Sequence, residues 1–220
     1  MASPSRQKIF LFLFVIAFFV AFIQVGLLSI AFHKLGLSAN ATYLLLITSL
    51  LGSLINLPLF RLRSQRPEGS PPAPAPLLPF LPTLHSNTHT LVAVNMGGCL
   101  IPIAFSLYLL NNTGVTLLQA IQAISFVTLV SYLFSRPVHG TGIGMPILIA
   151  PLAAALIAIG LNPEVSAPLA YIGGTMGVLI GADIFRLKDI RKMGPPFASI
   201  GGAGTFDGIF ITGIVAVFLA

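Results

Sequence analysis

Five carboxylates occur in the 220 residues: Glu68, Glu164, Asp183, Asp189 and Asp207. Glu68 falls in a proline-rich stretch, Glu164 between two apolar runs, and Asp189 among Arg186, Lys188, Arg191 and Lys192. Those are the settings of solvated or ion-paired groups. Asp183 and Asp207 lie instead inside apolar segments, GVLIGADIF (177–185) and GGAGTFDGIF (201–210). A carboxylate within a membrane-spanning helix costs at least about 2.5 kcal/mol on insertion scales, which makes it a candidate for function. If the two segments are adjacent antiparallel helices, the aspartates sit at similar depth, and two carboxyl groups that close share one proton and titrate as a pair. One can then activate water while the other protonates a departing group. Gly204, Thr205, Phe206 and Gly208 around Asp207, with Gly181 beside Asp183, are the positions past which water or substrate would approach. The competing reading is two border carboxylates that snorkel to water and neutralise Arg186 or Lys188.

Composition dictates the elements that carry these residues. The chain has 11 Lys+Arg against 5 Asp+Glu, is 56% hydrophobic and 7% charged, and has a mean hydropathy of +0.99. A soluble domain runs near 25% charged, so a cytosolic enzyme, a nucleic-acid-binding module and a disordered chain are all excluded. The basic pI of about 10.0 comes from residues at the borders of apolar runs, which implies no nucleic-acid partner. The single Cys99 excludes an intrachain disulfide and a multi-cysteine metal site. The first apolar run is too long for a secretory signal and lacks a small-residue cleavage site.

At about 20 residues per crossing, seven apolar windows emerge: 9–32, 41–60, 91–110, 115–134, 142–160, 168–187 and 201–220. The expected fold is all-α, a polytopic transmembrane bundle of about seven spans, with the bilayer, the inner (plasma) membrane of a prokaryote, as its first partner. With the N-terminus cytoplasmic and the C-terminus outside, ten of the eleven basic residues fall inside and only Lys34 does not, as the positive-inside rule asks. Gly142, Gly144, Pro146 and Pro151 predict a first half of the fifth span that is broken or re-entrant.

Residues 61–90 hold seven prolines between Pro67 and Pro82 and are expected to be an extended cytoplasmic linker. It divides an N-terminal hairpin (1–60) from a five-span core (91–220), as a semi-rigid tether or a docking segment. Gly173, Gly177 and Gly181 recur every four residues, the ridge that lets two helices approach closely. Asn95 reads as a packing hydrogen bond or a substrate ligand. His85 and His89 have the spacing of a metal pair but no third ligand nearby, and no metal or organic cofactor is expected. His33 and His139 sit at span ends. The stretch 135–142, SRPVHGTG, reads either as an inner loop or as broken backbone exposed to a ligand.

Gly204-Thr205-Phe206-Asp207-Gly208 resembles the GxGD signature that opens the seventh span of presenilin-type intramembrane aspartyl proteases, with Asp183 at the place of their second aspartate near the inner end of the sixth. Phe206 stands where that signature has its second glycine, and Ala182 where that family has tyrosine. Across the whole chain, VNMGGCLIP (94–102), SRPVHGTGIGMP (135–146), GVLIGADIF and GGAGTFDGIF resemble an uncharacterised prokaryotic membrane family, domain-of-unknown-function family 1614. The first resemblance implies a water-activating Asp183/Asp207 dyad that hydrolyses a transmembrane peptide; the second implies the membrane fold alone. Two further classes stay open: a small proton- or cation-coupled transporter or channel using the same aspartates, and a non-catalytic accessory subunit docking in a membrane complex. Thin walls also suggest a homodimer.

Overall fold

The computed structural model describes residues 26, 28, 30–63, 89–138, 142–193, 195, 197–202 and 208–220. It is mostly helical, and it adds strands that the helical expectation lacks. In chain order the elements are α1 (Ala39–Gly52), β1 (Asn56–Arg63), β2 (His89–Asn95), a wide turn Met96–Leu100 running into α2 (Ile101–Asn112), and α3 (Leu117–Phe134). Then come β3 (Arg136–Val138), β4 (Gly142–Gly144), α4 (Ile149–Leu161), α5 (Ser166–Val178) with a wide-turn extension Leu179–Ile184, α6 (Leu187–Met193), β5 (Phe197–Ile200) and α7 (Gly208–Leu219). Two runs among the described residues, α3 and the continuous helical stretch 163–193, are long and apolar enough to cross a membrane, while α1, 96–112, α4 and α7 are shorter apolar helices.

The windows overran because hydropathy does not separate an apolar strand from a helix. Window 41–60 is helical only to Gly52; Pro58, with no N–H to give a helix interior, lies where the register of the edge strand β1 shifts. Window 91–110 begins in β2, whose Leu91-Val92-Ala93-Val94 run is mostly buried as the central strand of a sheet ordered β1-β2-β5. Window 142–160 begins in the β3–β4 hairpin and becomes helical only at Ile149, so its first half is indeed not helical. Arg63 pairs with His89, so the residues at either end of the proline-rich stretch are joined side by side. Its interior, 64–88, and His139 lie outside the described residues.

The five strands among the described residues lie at one end of the bundle, at the C-terminal ends of α1 and α3 and the N-terminal ends of α2, α4 and α7. The helix at the centre is α5, with α2, α3, α4 and α7 packed round it. Its glycine ridge faces α3. A methyl at Gly173 would lie 2.9 Å from Ala123 Cβ, one at Gly177 2.5 Å from Val127 Cβ, and one at Gly181 against the carbonyl oxygen of Thr128. Gly174 opens the other side to Ala154 and Thr212. Phe105 packs edge-on to Tyr171, ring centroids 4.9 Å apart, in the main core. At the opposite end Lys34 Nζ donates to the carbonyls of Val217 and Phe218, and Ser166 Oγ to that of Ala220. A cation on the last turn of α7 satisfies carbonyls that have no helical partner.

Candidate functional site

Asp183 lies in the wide extension of α5, where Phe185 N–H reaches back five residues to the carbonyl of Ile180. Such π-type turns recur at functional sites. Its Oδ2 accepts a 2.7 Å hydrogen bond from the backbone N–H of Gly201. Gly201 and Gly202 follow β5 with φ of +84° and +78°, a left-handed pair that glycine adopts without a Cβ penalty.

A second wide turn meets the same glycine. Ile101 N–H bonds the carbonyl of Met96, again five residues back. Gly98 in this turn packs directly on the Gly201 carbonyl, and a methyl at Gly201 would lie 2.7 Å from Cys99 N. Asn95 holds the turn open. It is fully buried, its Oδ1 accepts from Gly98 N–H at 2.7 Å, and its Nδ2 donates to the Ser53 carbonyl at 2.7 Å and to Asn56 Oδ1 at 3.2 Å. Ser199 Oγ donates to Asn56 Oδ1 from β5. Of the two roles open to Asn95, the structure supplies the packing hydrogen bonds.

An apolar cluster closes round this junction: Val94, Cys99, Ala150, Val178, Leu179, Ala182 and Ile209, with Ile143 and Met145 against it. The four segments that stand out in the sequence therefore converge on one place. VNMGGCLIP gives the wide turn, GVLIGADIF the aspartate, GGAGTFDGIF the paired glycines and Ile209, and SRPVHGTGIGMP the hairpin flank.

Of the predicted site residues, Asp183, Gly181 and Gly208 are described. Gly181 is buried against α3, where its missing side chain lets two helices touch. Gly208 starts α7 and is exposed, next to the buried Ile209. Asp207, Gly204, Thr205 and Phe206 lie outside the described residues, bracketed by Gly202 and Gly208.

Arg186 is engaged away from Asp183. Its guanidinium pairs with Asp189 at 3.0 Å, donates to the carbonyls of Tyr132 and Ser135 and to Ser135 Oγ, and lies 4.4 Å from the centre of the Tyr132 ring. It thus caps the C-terminal end of α3, where a planar five-donor fork serves several acceptors at once. The glycine-rich stretch 201–204 reads in the sequence as loosened backbone able to offer N–H groups to a charged carboxylate, and Gly201 N–H does so to Asp183. Sequence reasoning missed the cap: nothing in one dimension joins Arg186 to residues 51 and 54 positions away.

A family model described as "Protein of unknown function (DUF1614)" matches residues 50–219, which include every segment of this junction. The chain belongs to the DUF1614 family. No curated protein and no solved structure matches it.

Proposed function

We propose that this DUF1614 protein is a membrane-embedded aspartyl hydrolase of the presenilin-like GxGD type, acting on a transmembrane peptide through Asp183 and Asp207. The observation that carries this reading is the hydrogen bond from Gly201 N–H to Asp183, because Gly201 heads the glycine-rich segment that runs to Asp207. Ile209, two residues past Asp207, packs in the cluster that holds Ala182, one residue before Asp183. Both flanks of Asp207 are thus tied to the neighbourhood of Asp183. In the reaction one carboxylate takes a proton from water, the hydroxide adds to the scissile carbonyl, and the other carboxyl group gives its proton to the departing amine nitrogen. Gly204, Thr205, Phe206 and Gly208 border the path of the substrate.

The same reading places the strand-bearing end in the cytoplasm, with seven spans, an internal N-terminus and an external C-terminus in the inner membrane of a prokaryote. It is supported by the gathering of every described basic residue except Lys34 at that end, and by the engagement of Lys34 with the end of α7. The hairpin (1–60), linker (61–90) and core (91–220) act as one assembly, alone or as a homodimer.

The test is cleavage of labelled transmembrane peptides by the protein in liposomes. Wild type should cut at least one, and Asp183→Asn and Asp207→Asn should each lose activity by roughly the 10³-fold or more expected of an essential acid or base. Proton or cation flux that needs both aspartates, without cleavage, would replace the hydrolase by the transporter.

A further inference from the structure

A strongly cationic, partly apolar surface covers the end of the bundle that carries the strands. Arg61, Arg63, Arg136, Lys188, Arg191 and Lys192 are all exposed there. The described carboxylates at that end are Asp183, directed to Gly201, and Asp189, paired with Arg186. The six cations form one surface because α6 bridges two strands: Arg191 Nε donates to the Arg63 carbonyl on β1, and α6 also packs against β3.

Large apolar side chains adjoin these charges. Ile184 and Phe185, 41% and 55% exposed, immediately precede α6; Leu59 and Phe60, 57% and 42% exposed, precede Arg61; and Leu133 and Phe134 are exposed at the end of α3 beside Arg136. Cations interleaved with exposed apolar residues are what a surface at the headgroup–acyl boundary needs, with apolar groups entering the acyl edge and cations meeting phosphate.

We propose that α6, β1 and β3 form a docking platform for anionic phospholipid headgroups. Each Lys or Arg near an anionic surface contributes about fivefold in affinity, so the platform prefers phosphatidylglycerol to zwitterionic phosphatidylcholine. The preference stands apart from the aspartate chemistry and persists when Asp183 is replaced.

The experiment is native mass spectrometry of the intact protein released from mixed micelles with equimolar phosphatidylglycerol and phosphatidylcholine. Wild type should retain the anionic lipid at least about fivefold more. Arg61→Gln, Lys188→Gln and Lys192→Gln together should lower that ratio by at least about fivefold. The charge-keeping triple change Arg61→Lys, Lys188→Arg and Lys192→Arg should keep the preference, as should Lys34→Gln at the opposite end. Equal retention by wild type, loss of preference in Lys34→Gln, or full preference in the neutral triple variant would overturn the platform. So would loss of the preference when inorganic phosphate, the free-anion competitor, is added during lipid exchange.

Discussion

Asp183 can be altered in two ways that separate chemistry from architecture. Asp183→Asn keeps an oxygen able to accept from Gly201 N–H, so it should melt within about 1 kcal/mol of wild type while losing all acid–base capacity. Asp183→Ala leaves that N–H without its acceptor and should cost about 1–3 kcal/mol, measured by thermal unfolding in detergent. Gly201→Ala should be worse than either. It forces a left-handed residue to carry a Cβ and drives that atom to 2.7 Å from Cys99 N, so loss of folded protein on size-exclusion chromatography is expected. The aspartate was legible in the sequence because a carboxylate inside an apolar run is conspicuous. Its partner was legible only as a glycine-rich stretch, 201–204, able to offer backbone N–H groups, since a backbone N–H has no residue type and which one reaches Asp183 depends on the turn that aims it.

Among the elements, α5 and α3 form the tightest pairing, and the four-residue glycine spacing announced it. Gly177→Leu should abolish folding, because a methyl there already meets Val127 at 2.5 Å. Thr128 Oγ1, on the facing side of α3, is buried without a hydrogen-bond partner among the described residues. Thr128→Val removes that uncompensated hydroxyl and should raise stability by about 1 kcal/mol, read as a higher melting temperature. Arg186→Gln should do the opposite. It withdraws charge-assisted bonds from the end of α3 and unpairs Asp189, a loss of about 2–3 kcal/mol. The strands were the elements that sequence reading missed. Leu57, Leu59 and Phe60 and the run Leu91–Val94 continue the apolar windows of the helices they join, and the pairing that defines the strands runs across the proline-rich stretch.

For the whole molecule, composition and the distribution of charge pointed to a mostly helical bundle of apolar helices. The convergence of the four distinctive segments could not be read, because it depends on a wide turn, a central strand and a glycine pair meeting in three dimensions. The topology is open to direct measurement. A cysteine at Lys188, in a Cys99→Ser background, should react with a membrane-impermeant thiol reagent only from the cytoplasmic face, and one at Glu164 only from the other; labelling of both from one side would break the seven-span arrangement. The central claim, that Asp183 and Asp207 meet, calls for one measurement above the rest. Cys99→Ser, Asp183→Cys and Asp207→Cys are combined, and native membranes are treated with mild oxidant. A disulfide requires Cα atoms within about 7 Å. Efficient intramolecular closure is the predicted result; two cysteines that stay unbridged yet react readily with a small thiol reagent would contradict the dyad.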